Sequence, residues 1–259
     1  MSYDRNIKSK EECYIDLQPN NFQLEQTTIW SFPERGSWAT HSGKYRGNWT
    51  PYVPRNLIIR YSKPGDWILD QFTGSGTTLV EAKLLNRNAV GVDINPQSVS
   101  NSEKNIQFES NLVTKILVRE GNATNLNFIK DEKIDLICTH PPYADIIRYS
   151  KSIEGDISHL KTEEFLEAMN KVAEESFRVL KEGKICAVMM GDIRKNGKVV
   201  PLGFRTMEVF LNTGFQSKEI IIKEQYNCKS TAYWKRKKIN FYCWHMSIFL
   251  YFKSKGHSH

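Results

Sequence analysis

Beyond its first fifty residues the chain alternates between two textures of apolar and polar positions. Short, nearly unbroken apolar runs lie at 66–72, 88–92, 115–118, 134–139, 184–190, 217–222 and 246–252. A run of this kind is what a strand shows when both of its faces are covered. Between the runs, 53–61, 78–85, 97–108, 162–180 and 202–212 read as helices. The clearest is 162–180, where Phe165, Leu166, Met169, Val172, Ala173, Phe177 and Leu180 recur at the spacing that places them on one helix face. Strands alternating with helices predict an α/β fold, a mostly parallel seven-stranded sheet with helices on both faces. Residues 1–26 are polar and are expected to be poorly ordered. From 27 to 259 the chain reads as one domain, with three longer loops at about 35–52, 150–161 and 226–244.

Two turns at strand ends carry candidate chemistry. Leu69-Asp-Gln-Phe-Thr-Gly-Ser-Gly-Thr-Thr78 joins the first strand to a helix. Gly74 and Gly76 allow a tight bend and a close approach to a ligand, and the free N–H groups of the turn can take up polar atoms. The following strand delivers Asp93, where a carboxylate can accept from ribose hydroxyls, cap the next helix, or do both. The third glycine of a dinucleotide fingerprint, which makes room for a pyrophosphate, is missing, and Asp70 precedes the turn. Both features favour a nucleoside ligand without phosphates, such as S-adenosylmethionine. Further on, Thr139-His-Pro-Pro-Tyr143 closes the fourth strand. Its prolines lack N–H groups and have fixed φ, so the carbonyl of Pro141 is rigidly aimed. In sheets of this class ligands bind at carboxyl ends beside the switch in strand order, so both turns are expected in one site.

Composition narrows the picture modestly. The length of 259 residues suits one α/β domain. Cys13, Cys138, Cys186, Cys228 and Cys243 form no CxxC pair and no metal-ligand ladder, and no metal is expected. Their odd number, with no secretory leader pattern, points to a reducing, cytoplasmic setting. No apolar run approaches the ~20 residues of a membrane-spanning helix. A net charge of +7 suits a polyanion partner without requiring one. The segment 226–244 interleaves Lys229, Lys235, Arg236, Lys237 and Lys238 with Tyr233, Trp234, Phe241, Tyr242 and Trp244. Phosphate contact with base stacking is one reading of it; a solvated hairpin over packed aromatics is the other.

Taken together, the motifs resemble those of the bacterial DNA amino-methyltransferases. Asp70-Gln-Phe-Thr-Gly-Ser-Gly-Thr-Thr78 is similar to their D-P-F-x-G-S-G-T-T signature. Trp49-Thr-Pro-Tyr-Val-Pro-Arg-Asn-Leu-Ile58 resembles the helix-initiating motif that closes over the donor's carboxylate, and Thr139-His-Pro-Pro-Tyr143 resembles the catalytic [D/N/S]-P-P-[Y/F/W]. The order of the motifs resembles the permuted classes that begin with the cofactor half, and the likeness covers about residues 27–252. It implies a Rossmann-like methyltransferase fold with an antiparallel last strand. It also implies S-adenosyl-L-methionine held by Thr50, Asp70, Phe72, Gly74, Gly76, Thr77, Asp93 and Asn122. His140, Pro141, Pro142 and Tyr143 would act on adenine N6 or cytosine N4 of a flipped base, with Tyr143 stacking on it. Double-stranded DNA is the implied partner, touched by Tyr233, Trp234, Lys235, Arg236, Lys237 and Lys238, with a cognate restriction endonuclease or a second subunit as companion.

Two positions depart from the family. Asn122 stands where an acid usually reads the donor's adenine amine, and its amide oxygen is expected to accept that bond without charge. His140 stands where Asp, Asn or Ser is usual. A neutral imidazole offers one acceptor nitrogen and a protonated one offers none, so activity is expected to fall as pH drops through the imidazole pKa, near ~6.5 unless the pocket shifts it. Asp145 is a nearby substitute acceptor, and Gly191-Asp192-Ile-Arg194 either lines the base pocket or serves turn chemistry. Two other functions stay open: an RNA base amino-methyltransferase, and a catalytically silent DNA-binding subunit.

Overall fold

The computed structural model describes residues 16–45, 47–144, 153–195, 198–226 and 245–253. Its strands are β1 (Ile29–Trp30), β2 (Trp67–Asp70), β3 (Asn88–Asp93), β4 (Ile116–Glu120), β5 (Ile134–Thr139), β6 (Leu180–Gly191), β7 (Ile193–Lys195), β8 (Lys198–Val200), β9 (Gln216–Glu224) and β10 (His245–Phe252). The helices are α1 (Tyr52–Tyr61), α2 (Thr77–Leu84), α3 (Pro96–Asn105), α4 (Thr162–Val179) and α5 (Leu202–Asn212), with a 3-10 turn at Ile157–His159. The main sheet runs β1-β9-β10-β6-β5-β2-β3-β4 and is parallel except for β10, which is antiparallel to both neighbours. This is the expected Rossmann-like α/β architecture, corrected from seven strands to eight. The added strand, β1, is two residues long, too short to leave a periodic signal, and its Trp30 is buried against the sheet. A separate hairpin, β7 with β8, follows Gly191.

Both faces of the sheet are covered, which is why its strands read as unbroken apolar runs. Along β6, Cys186, Val188 and Met190 enter one core while Ile185, Ala187 and Met189 enter the other, the two-residue alternation of a pleated strand. Helices α4 and α5 bring Phe165, Met169, Val172 and Phe210 to the first core; α1 and α2 bring Val53, Leu57, Leu79 and Ala82 to the second. Asp192 accepts from Gly203 N at 3.0 Å, so of its two sequence readings the structure shows the turn anchor, at the start of α5.

The chain steps from β2 to β3 and β4, then crosses back to lay β5 on the other side of β2. The switch in strand order therefore falls between β2 and β5, and the two motif turns leave their carboxyl ends side by side.

Residues 16–26, expected to be loose, pack on α1: the Phe22 ring stacks on Tyr52, and Glu25 N donates to Asn56 Oδ1 at 2.8 Å. Next to them, fully buried Glu81 of α2 accepts from Trp38 Nε1, His41 Nε2 and Arg55 Nη1 at 2.7, 2.7 and 2.9 Å. That carboxylate fastens the loop ahead of α1 onto the helix that follows the glycine turn.

Gly91 of β3 carries the tightest contact beside the switch point. A Cβ there would come within 2.5 Å of Leu79 Cδ1 and 2.8 Å of Thr73 Oγ1. Gly91→Ala is therefore expected to destabilise the protein by about 1–3 kcal/mol through overpacking. A chemical-denaturation midpoint equal to that of the wild type would show that the turn yields freely.

Candidate functional site

The site grows out of the end of β2. Asp70 is 2% exposed, and its carboxylate receives Thr78 Oγ1 at 2.5 Å, Thr139 Oγ1 at 2.9 Å and Phe72 N at 3.2 Å. Burial pushes its carboxyl up to about 6 against these three donors. Asp70 thus braces the glycine turn to the end of β5. Gly76 then starts α2 at φ 80°, in the left-handed region, and a Cβ there would meet Ser102 of α3 at 3.1–3.2 Å.

Asp93, at the end of β3, stitches the two loops of the cleft together. Its Oδ2 accepts from Gly74 N and its Oδ1 from Asn95 N, each at 2.9 Å. The cap of α3 is Asn95, whose side chain accepts from Gln97 N, so Asp93 is left free of that task. A carboxylate offers about four acceptor sites, and the Ser98 side chain bonds Asp93 as well, which leaves it about one for a ligand. Burial raises its carboxyl above the ordinary range, and Asp156 adds to the effect.

Three expected donor contacts look different in three dimensions. Thr77 Oγ1 donates to Asn48 Oδ1 at 2.6 Å, and Asn48 Nδ2 donates to Ser75 Oγ at 2.7 Å, so Asn48 clasps the turn. Thr50 Oγ1 donates to the Arg35 carbonyl at 2.6 Å and lies outside the cleft wall, whereas Asn48 and Trp49 form part of it. The Asn122 oxygen already accepts from Thr124 N and Thr124 Oγ1 at 3.0 and 2.9 Å. What Asn122 offers the cleft is its amide N–H₂, a donor rather than the expected acceptor.

The cleft between these loops holds about 790 Å³, counting space open to solvent, within the usual range for a small-molecule site. Phe72, Gly74, Asp93, Ile94, Asn122, His140, Pro141 and Pro142 all line it. Sequence reasoning missed Tyr45, whose hydroxyl lies 3.0 Å from Ser98 Oγ, and Asp156, whose Oδ1 accepts from Ser158 N at 2.9 Å. The Gly155-Asp156 pair ahead of the 3-10 turn was the available signal for the second. Asp70, Asp93 and Asp156 line the cleft, and among the described lining residues there is no lysine or arginine.

His140 stands at the mouth of the catalytic turn, its ring stacked on Trp49 at 5.6 Å and its Nε2 3.0 Å from the Tyr143 hydroxyl. Burial, with the nearby Lys223 ammonium, pushes its pKa down to about 3. The pocket therefore shifts the titration down from the ordinary 6.5, and the ring stays neutral through the physiological range. Tyr143 directs its hydroxyl to His140 and rests against Gly191, where a Cβ would meet that hydroxyl at 3.2 Å. Tyr233, Trp234, Lys235, Arg236, Lys237, Lys238 and Asp145 lie outside the described residues. Among the described residues, no group of three His, Cys, Asp or Glu side chains is placed to hold a metal, and no helix is long and apolar enough to cross a membrane.

Comparison with known proteins sharpens this picture. The family pattern described as "DNA methylase" matches residues 2–104, and that described as "Methyltransferase domain" matches residues 62–238. The tRNA (guanine(10)-N2)-dimethyltransferase of Methanothermobacter thermautotrophicus is 35% identical over 125 residues, 48% of this chain and 35% of that protein. Type II methyltransferase M2.MboI of Moraxella bovis is 36% identical over 80 residues, 31% of this chain and 29% of that protein. The matched stretches span about a third of the length of these curated relatives. Among solved structures, TrmN from Thermus thermophilus shares the fold, with a TM-score of 0.54 at 17% identity over 80% of this chain and 50% of that one. The chain belongs to the methyltransferase-domain family and carries within it the signature of the DNA amino-methyltransferases.

Proposed function

We propose that the protein transfers a methyl group from S-adenosylmethionine to an exocyclic amine of a DNA base, adenine N6 or cytosine N4. The observation that carries this reading is the charge of the cleft: three carboxylates and no cation among its described lining residues. A pyrophosphate would be repelled there, whereas a nucleoside bearing a sulfonium and an ammonium is complementary. Asp93 would accept from the ribose hydroxyls, Asn122 would donate to an adenine ring nitrogen, and the Gly74 turn would lie along the amino-acid tail. When bound, the donor supplies an electrophilic methyl group.

The chain's own residues prepare the amine. An exocyclic amine is a poor nucleophile because its lone pair is delocalised into the ring, and acceptors on its protons localise that pair. Pro141 supplies one acceptor through its carbonyl. His140 supplies the other from Nδ1, provided its proton sits on Nε2 and is donated to the Tyr143 oxygen. The Tyr143 hydroxyl can accept that proton, which is compatible with this tautomer. With a pKa of about 3, His140 is a hydrogen-bond acceptor and not a proton sink, so as the N–CH3 bond forms and the sulfonium C–S bond breaks, the proton that the amine loses passes to solvent. Duplex DNA is the proposed partner, with a restriction endonuclease or a second subunit as companion and the cytoplasm as compartment.

One observation favours a second reading. Relatives named as tRNA (guanine(10)-N2)-dimethyltransferases match 125 and 144 residues, more than the 80 and 110 matched by two Type II methyltransferases. The same pair of acceptors would serve guanine N2 in RNA. Incubating the protein with labelled donor and unmodified DNA or tRNA, then weighing the nucleosides, separates the two. N6-methyladenine or N4-methylcytosine from DNA is the expected product. N2-methylguanosine from RNA alone would replace the first reading with the second, and donor binding with no product from either would favour a silent subunit.

A further inference from the structure

Among the described residues of the cleft wall there is no cation, but two half-buried cations lie beside the cleft. By register, Met246 stands opposite both Gly191 of β6 and Lys223 of β9, so all three share one sheet level and one face. Gly191 is where the Tyr143 hydroxyl rests, so Lys223 stands two strands away, roughly 10 Å, at the same carboxyl-end edge. Trp30 is the register partner of Lys223 on the other side, and the loop beyond it carries Arg35. Arg35 donates from Nη1 to the Asn48 carbonyl at 2.9 Å, but its Nε and Nη2 are buried with no partner among the described residues.

Among the described residues neither cation is matched by an acid: no carboxylate pairs with Arg35 or Lys223. Glu224, next in the chain, is taken up by Ser31 and Tyr226. The sequence from 225 to 244 contains no aspartate or glutamate. Burial holds both groups below their ordinary values, and Arg35 lowers Lys223 further. Two like charges, partly desolvated and side by side, are costly unless an anion completes them.

We propose that Lys223 and Arg35 form the seat of a backbone phosphate of the DNA substrate, next to the base presented to His140 and Pro141. The proposal rests on the nucleic-acid reading given above. It divides the site by charge: the acidic cleft takes the cationic donor, and the basic seat at the same sheet edge takes the phosphate. The seat positions the substrate without reading its sequence.

The test uses the full chain and Lys223→Gln, with Arg35→Lys as a second variant that keeps the charge but loses the fork. Donor affinity measured by calorimetry is expected to match the wild type, which shows the fold intact. On duplex DNA, Lys223→Gln is expected to raise KM about tenfold and to flatten the log-affinity versus log-salt slope by about 0.9. On a duplex with neutral methylphosphonates around the target base, wild type and variant are expected to converge. An unchanged KM and slope would overturn the seat while leaving the methyltransferase reading intact, and so would a loss of donor affinity with KM unchanged. The same pattern on RNA instead would keep the seat and reassign the substrate. If the wild type neither binds nor methylates DNA or RNA, inorganic phosphate decides. Phosphate raising Tm relative to chloride at equal ionic strength in the wild type but not in Lys223→Gln supports the seat, and equal shifts overturn it.

Discussion

His140→Ala is expected to slow methyl transfer by about 10²–10³-fold in single-turnover measurements, the usual cost of removing one preorganised group that stabilises developing charge. The donor's Kd should hardly change, because the ring meets the amine and not the ribose. The wild-type rate is expected to stay flat from pH 8 to pH 5 as far as this residue is concerned. The sign follows from burial: a pKa held at about 3 keeps the imidazole neutral, hence able to accept, throughout that window. His140→Asp should accordingly gain no advantage at pH 6. Stability carries the complementary signature. Unfolded histidine protonates near ~6.5, so the contribution of His140 to folding is complete above that pH and drains away as pH falls towards 3. Tyr143→Phe, which removes the hydroxyl beside His140 Nε2, should slow transfer by a smaller factor. A rate falling along an imidazole titration near pH 6.5, or full activity in His140→Ala, would remove His140 from the chemistry.

Asp93→Ala is expected to weaken donor binding by about two to three orders of magnitude. Hydrogen bonds to a charged group are worth about 1.5–3 kcal/mol each. Here the carboxylate would hold the ribose hydroxyls and also fixes Gly74 N and Asn95 N, so its loss removes ligand contacts and slackens both loops. Asp93→Asn, which keeps one acceptor oxygen, should fall between the two. Calorimetry giving unchanged affinity in Asp93→Ala would show that the ribose is held elsewhere.

The parts of the fold legible in the sequence were those governed by local pattern. The apolar runs located seven strands of the main sheet, and the spacing at Phe165, Met169 and Val172 marked α4 to within one residue at its carboxyl end. The glycine turn and the Pro-Pro turn were placed correctly at neighbouring carboxyl ends because strand order in such sheets follows simple rules. Long-range polar pairings stayed hidden. Nothing local says that Thr50 turns to the Arg35 carbonyl, or that the surroundings of His140 lower its pKa to about 3. Both depend on residues that the fold and not the local pattern brings together, and a motif compared position by position carries side-chain identity but not side-chain occupancy; the Asn122–Thr124 bond, by contrast, spans two positions and could have been read as a local turn. The short strand β1 was invisible for a different reason: two residues cannot display a period.

The Glu81 carboxylate has a consequence for truncation. A fragment starting at residue 62, where the methyltransferase-domain match begins, would keep the strands from β2 to β10 and both motif turns. It would also lose Trp38, His41 and Arg55 together, stranding a desolvated carboxylate inside α2, the helix that the glycine turn initiates. The same cut would take away Asn48 and Trp49, one wall of the donor cleft and the platform under His140. Family likeness and self-sufficiency therefore have different boundaries in this molecule. The smallest piece able to fold and bind must reach back at least to the segment that supplies the partners of Glu81.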